Sequence, residues 1–399
     1  MIKKQTLTKQ ARTLWVTSAL LFPFITPSAA ALVSIGDSAE IFFNGSASVR
    51  YNDNLFLNKD NERSDTIFIL SPGVELNVGK RANANVNLYY REDFYLYDKN
   101  SDLDTNTSNV FLESFWKQSR LDLRFDASFE QLIQTTPDLV RNNSNIDDLV
   151  EREQIRADLR GEYEISELTS ASAGIGYSKL DFKSPGFSDR EIVTVPLNAY
   201  YSITPLVDLS LGYRFRHADV SDQTAYTYNG LPIPAQARSD YQDHYFNIGA
   251  RGELAPKLMG EARAGYQYRD VRDGGNRDTL SFSADVSHFT TANTTLLVGL
   301  FRDFDISVEG QSTTRTGGSL GVRHTFSHLI SGTAGANYYE RSYSGVRKDK
   351  TLDVHVGATY SPITYLDLNA TYIFRHNDSN INAVEFDNNI FSVSAALRY

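Results

Sequence analysis

His324 and His328 stand four residues apart, and His355 follows Asp353 by two, so two histidine spacings in this chain invite chemistry. A pair at i and i+4 grips zinc when both rings leave one face of a helix, and a histidine oriented by an aspartate takes the proton of a serine nucleophile. His324 and His328, however, flank a predicted turn, where helical ligand geometry does not apply. No nucleophile elbow or zinc motif accompanies the seven histidines. There is no cysteine, which excludes disulfide scaffolds, thiolate-bound zinc, iron–sulfur clusters and thiol catalysis. The expectation is a protein that is not an enzyme, with no catalytic, metal or cofactor residue to assign. A hydrolase that pairs His355 with one of the many serines is the alternative.

The charged residues show more order than the histidines. Arginines and carboxylates recur at every second position, as in Asp122, Arg124 and Asp126, in Arg156, Asp158, Arg160 and Glu162, and in Arg214 and Arg216. Glu261, Arg263, Arg269, Asp285, Arg323, Asp353, His355, Asp367 and Arg375 fall on the same parity of their own segments. The intervening positions are apolar. Leu121, Leu123, Phe125, Ala127 and Phe129 alternate with the first group, and Val207, Leu209, Leu211, Tyr213 and Phe215 with Arg214 and Arg216. A period of two sustained over about ten to fourteen residues is the mark of a β-strand with two unlike faces. The 46 Phe and Tyr residues among 399, with only two Met, also favour sheet.

These segments are joined by connections that alternate in length. Eight short turns, from Gly79–Ala82 to Pro362–Tyr365, alternate with nine longer polar loops, of which Thr135–Val150 and Ser221–Asp240 are the longest. That arrangement requires about 18 strands, within a range of 16 to 20, and leaves both chain ends on the short-turn side. A sandwich or propeller has no reason to sort its connections in this way, whereas an outer-membrane barrel puts turns in the periplasm and loops outside.

Lys3, Lys4, Lys9 and Arg12, an apolar run from Leu14 to Ile25 and small residues through Ala31 have the three-part form of a secretory signal peptide. We expect residues 1–30 to be this signal and 31–399 the barrel. Loss of the four cations takes the formal charge from −10 to −14, which disfavours nucleic acid as a partner. No later stretch has the ~18 apolar residues of a membrane helix. The protein is expected in the outer membrane of a Gram-negative-type envelope, as an antiparallel transmembrane β-barrel with lipid as its first partner. Tyr200, Tyr201, Tyr213, Phe215, Tyr360, Tyr372 and Phe374 fall near strand ends, as interfacial girdles require. In the closing strand Phe391, Val393, Ala395, Leu397 and Tyr399 alternate outward, and a terminal aromatic of this kind resembles the signal read by the barrel-assembly machinery.

The first predicted strand, Gly45-Ser-Ala-Ser-Val-Arg-Tyr-Asn-Asp-Asn-Leu-Phe-Leu57, resembles the opening strand of the β-barrel porin type 2 family. Hairpin spacing and the closing strand extend the likeness loosely over the mature chain. The resemblance implies an outer-membrane barrel of the kind associated with exopolysaccharide operons, and hence export-system components as partners. It carries over no residue-level polysaccharide motif.

With 16 to 18 strands a lumen is wide enough for water. The charged residues named above are then pore-lining candidates, and the Thr135–Val150 and Ser221–Asp240 loops are candidates for narrowing the opening. The function expected is a passive pore for polysaccharide or other hydrophilic solutes. The competing expectation is a closed structural or surface-binding barrel whose lumen is locked by ion pairs.

Overall fold

The computed structural model describes residues 31–399 apart from 37, 80–82, 134–136, 138–148, 185, 229–230, 273 and 344–346. The expected signal segment lies outside the described residues. Eighteen long strands follow one another: β1 (Ala39–Asn52), β2 (Asp65–Val78), β3 (Ala84–Tyr97), β4 (Thr105–Gln118), β5 (Leu121–Ile133) and β6 (Glu151–Glu164). The middle six are β7 (Thr169–Phe182), β8 (Arg190–Thr204), β9 (Val207–Val220), β10 (Tyr241–Ala255), β11 (Leu258–Val271) and β12 (Arg277–Thr291). The last six are β13 (Thr294–Ile306), β14 (Ser312–Thr325), β15 (Ile330–Tyr343), β16 (Lys348–Ile363), β17 (Leu366–Ser379) and β18 (Phe386–Arg398). Every strand pairs antiparallel with the next, and β18 returns to β1 in register from Asn44↔Arg398 to Asn52↔Ile390. The sheet is therefore closed. Closure leaves no long edge whose amides would need water, as hydrocarbon demands.

One residual edge is covered locally. Below the point where β18 ends, the short strand Val33–Ile35 folds back through Gly36 (φ +58°) and pairs with Ala39–Ile41 of β1. No helix among the described residues is long and apolar enough to cross a membrane.

The two faces of the wall separate by parity. Leu211, Ile248, Leu280 and Leu320 are 62–73% exposed within their strands, and Leu211 lies directly opposite Ile248. Polar residues of intervening parity, such as Asp208, Asn247 and Gln267, are at most 8% exposed. The exterior is apolar and the interior polar, the reverse of a water-soluble domain, so the outer face needs lipid as its neighbour. Tyr201, Tyr360 and Tyr372 face outward among it, but Tyr200 does not. Successive strand residues must point to opposite faces, and Tyr200 is buried inside the barrel. The girdle expectation fails at that residue.

The seam between the chain's two ends is tied from inside. The Glu75 carboxylate on β2 accepts two hydrogen bonds from Arg398 on β18, both 3.0 Å, and others from Asn44, Asn77 and Asn87 at 2.7–3.2 Å. Arg398 also stacks over Phe42, 3.7 Å from its centroid. Glu75→Ala is expected to lower folded stability by about 2 kcal/mol, the scale of hydrogen bonds to a charged group. The measure is the temperature at which the folded electrophoretic band disappears; an unshifted band would remove this cluster from the closure.

Inner-face glycines let bulky side chains lie along the wall. Gly212 sits in register between Asn198 and Asn247, and a Cβ there would come within 2.5 Å of Asn247 Oδ1 and 2.7 Å of Asn198 Oδ1.

Candidate functional site: the barrel lumen

The strand registers place every charged residue that the period-two pattern singles out on the inner face. Asp122, Arg124 and Asp126 lie on β5 opposite Glu162, Arg160 and Asp158 on β6, with Arg156 farther along β6. On the facing arc are Arg214 and Arg216 of β9, Glu261, Arg263 and Arg269 of β11, and Asp285 of β12, which pairs with Glu261. Arg323 of β14, Asp353 and His355 of β16 and Asp367 and Arg375 of β17 complete the set.

Contacts between strands that are not neighbours show that this face is concave. Arg251 on β10 reaches Glu162 on β6 at 2.8 Å and Asp208 at 3.0 Å, and its guanidinium lies 3.4 Å from the centroid of Tyr200. Arg214 on β9 meets Asp303 on β13 at 2.8 Å, and Arg263 on β11 meets Asn198 on β8 at 2.9 Å. Such reaches are open only to side chains that converge inside a curved wall.

Neither of the two histidine spacings forms the arrangement that its chemistry would need. Asp353 is paired with Arg375 at 3.3 Å, and among the described residues no serine hydroxyl bonds His355. His324 bonds Thr294 at 2.9 Å and packs edge-on against Phe326. Among the described residues no group of three His, Asp or Glu side chains could hold a metal.

At the loop end the wall is interrupted. β12 and β13 pair only as far as Phe282↔Arg302, yet β13 stays paired with β14 up to Ile306↔Ser312. The freed end, Asp303–Ile306, and the turn 307–311 lean over the inner faces of β8 to β11. Three consecutive carbonyls of this strap accept arginine hydrogen bonds: Phe304 from Arg216 at 2.9 Å, Asp305 from Arg269 at 2.9 Å and Ile306 from Arg190 at 2.6 Å. Tyr241 donates to the Gly310 carbonyl at 2.7 Å, and the Ser188 amide to that of Val308 at 2.9 Å. Asp243 holds two of these arginines, accepting from Arg216 Nε at 2.6 Å and from Arg269 Nε and Nη2 at 2.6 and 2.8 Å. Ile306 packs on Ala218, Val220 and Tyr241, and Val308 on Val150 and Phe187. Arg216 and Arg269 are thus on the inner face but covered by the strap, with Arg269 wholly buried.

Other loops also turn inward. Asn54–Asn58, which takes in the end of the motif at the first strand, is buried. Leu55 and Phe56 pack on Ile67, Ile69 and Tyr97 of the inner wall, and Leu57 on Val384 and Phe386. Asn54 donates to the Asp387 carbonyl at 2.9 Å, and Asn388 to that of Asn54 at 3.1 Å, which fastens the loop to β18. In the same loop, burial and then the charges of Asp53 and Asp387 hold the Glu62 carboxyl above its usual range. Most of Thr135–Val150 lies outside the described residues; its end joins the apolar clusters through Leu149 and Val150. Ser221–Asp240 leans on the β7–β8 loop, with Gln223 donating to the Gly186 carbonyl at 2.8 Å. The sequence pattern marked a longer polar loop near Val308–Thr314 but did not single it out for narrowing the opening, and it did not mark the anchors Asp243, Arg251, Asp303 and Asp305. Asp243 and Arg251 were legible in the alternation Asp243, Tyr245, Asn247 against His244, Phe246, Ile248.

Residues 227–399, which include the seam strand β18, match the family model described as "Putative beta-barrel porin 2". Over these residues the chain is similar to that porin family. With its apolar exterior, the protein is an outer-membrane barrel of porin type, and the family points to a channel rather than an enzyme. No curated protein matches the chain. Solved structures similar to this porin-type barrel include the outer membrane protein OpdK from Pseudomonas aeruginosa, at 14% identity and TM-score 0.47, covering 90% of this chain and 99% of that one. A BenF-like porin from Pseudomonas fluorescens Pf-5 is similar at 12% identity and TM-score 0.49, over 91% and 99% of the two chains. The ferric-catecholate import receptor Fiu from E. coli K12 is similar at 10% identity and TM-score 0.48, over 92% and 82%.

Proposed function

We propose that this barrel is a passive aqueous channel for hydrophilic solutes, with polysaccharide as its cargo. The observation that carries the reading is an inner wall of alternating guanidinium and carboxylate groups, many of them satisfied by one another, around an 18-strand circumference. Eighteen strands enclose more space than their own side chains fill. Mutual pairing along the wall leaves little field of one sign, which suits an uncharged, hydroxyl-rich chain better than a small ion. Inward aromatics such as Tyr89 and Phe111, stacked 6.1 Å apart on β3 and β4, offer ring faces to sugars. The pore-lining role of the charged residues, and recognition of Phe391, Val393, Ala395, Leu397 and Tyr399 by the barrel-assembly machinery, belong to the same proposal.

Purified protein refolded into planar bilayers is expected to give discrete ohmic steps, and proteoliposomes to swell in neutral oligosaccharides below a size limit. Silence in bilayers across voltage and pH would instead favour a closed barrel locked by its ion pairs.

A further inference from the structure

We propose that the β13–β14 strap, Asp303–Ser312, is a fixed constriction that sets the size limit of the lumen. This rests on the channel reading above and names the element that limits it. A β-hairpin has no local reason to abandon its neighbour three residues or more before its own tip, because the carbonyls facing that neighbour lose their partners. Here the loss is made good by side chains: Arg190 and Arg216 take the carbonyls of Ile306 and Phe304, which share the freed side, and Arg269 adds a bond to the Asp305 carbonyl between them. These arginines come from β8, β9 and β11, so the strap crosses the inner faces of several strands.

Its attachment also argues that it stays in place. Charge-assisted bonds to three consecutive carbonyls, one tyrosine hydroxyl bond and two apolar contacts must all break for it to swing away. Two of these arginines, Arg216 and Arg269, are positioned by Asp243, behind the strap and out of water. The turn is preformed too: Gly310 has φ +75°, its amide bonds the Ser307 carbonyl at 3.0 Å, and Ser307 Oγ accepts from the Gln311 amide at 3.0 Å. On its other side the strap presents the Asp303 and Asp305 carboxylates, 27% and 36% exposed, toward Arg214 and Arg341 at 2.8 and 3.1 Å. These carboxylates are where the strap meets water.

The test compares single-channel currents of three variants with those of the wild type in planar bilayers. In the first variant, Asp305–Thr313 is replaced by Gly-Gly, which keeps the Phe304↔Thr314 register, and conductance is expected to rise about twofold or more as the lumen widens. The second is Asp305→Cys, the sole thiol in a chain without cysteine, treated with a bulky cationic methanethiosulfonate reagent; current is expected to fall about twofold as the opening narrows. The third, Phe187→Cys with Val308→Cys, tethers the strap, and its current is expected to be the same oxidised and reduced. An unchanged current in the labelled Asp305→Cys protein would overturn the proposal even if the shortened variant fails to fold. A current that depends on the oxidation state of the tether would show a moving gate in place of a fixed constriction. A silent wild type would count against the channel reading itself, whereas a conducting wild type with an unaltered labelled variant would count against the strap alone.

Discussion

Asp243→Ala is expected to cost about 3–5 kcal/mol of folded stability, the scale seen when one partner of a buried ion cluster is removed. The size follows from what remains. Asp243 is 1% exposed and sits in register between Arg216 and Arg269, so its loss takes the carboxylate hydrogen-bonded to both guanidiniums and leaves Arg216 with the more distant Asp303, 3.6 Å away. Their bonds to the Phe304 and Asp305 carbonyls survive, but a carbonyl dipole offsets much less than a carboxylate. The temperature at which the folded electrophoretic band is lost should fall steeply, and the protein that does fold should show noisier channels because the strap has lost its support. Replacing Arg216, Asp243 and Arg269 together by Met, Leu and Met removes the charges as a set and should cost less than the single change. If the triple variant were the less stable of the two, the cluster would owe its worth to attraction rather than to the cost of breaking it.

The fold was legible because two independent periodicities are written into the chain. Side-chain parity defines the faces, and the alternation of turn and loop lengths defines the hairpins and their number. The lumen was legible wherever the outward partners are purely apolar, as around Arg214 and Arg216. It was obscured at the end of β13, where Phe301, Asp303 and Asp305 share one parity and Arg302, Phe304 and Ile306 the other. Both sets there mix charged and apolar groups because the segment leaves the lipid-facing wall and is surrounded by protein on each side. Loop length misdirected attention in the same place: the long Ser221–Asp240 loop leans on a neighbouring loop, while a turn of five residues enters the lumen. What decides the matter is whether inward arginines can take up the freed carbonyls, and that depends on strands more than a hundred residues away, such as Arg190 against Ile306.

The assignment of lipid and water to the two faces has its own large expected effect. Leu211→Arg puts a cation in the middle of the apolar band, beside Ile248, and is expected to destabilise the barrel by about 2–4 kcal/mol, as for arginine near a bilayer midplane. Ser394→Arg, on the inner face of β18 between Ser48 and Asn369, should cost within about 1 kcal/mol, since the new cation meets a polar, hydrated interior. The two variants add the same side chain to strands of the same sheet, so propensity and bulk nearly cancel and the medium on each side is what differs. Folding into bilayers of decreasing thickness sharpens the contrast: a thinner hydrocarbon layer brings position 211 closer to water and should recover part of the loss, whereas position 394 should be indifferent. Equal losses at the two positions would mean that lipid does not meet the Leu211 face. The strap, the seam and the charged wall would then need another reason to converge on a common interior.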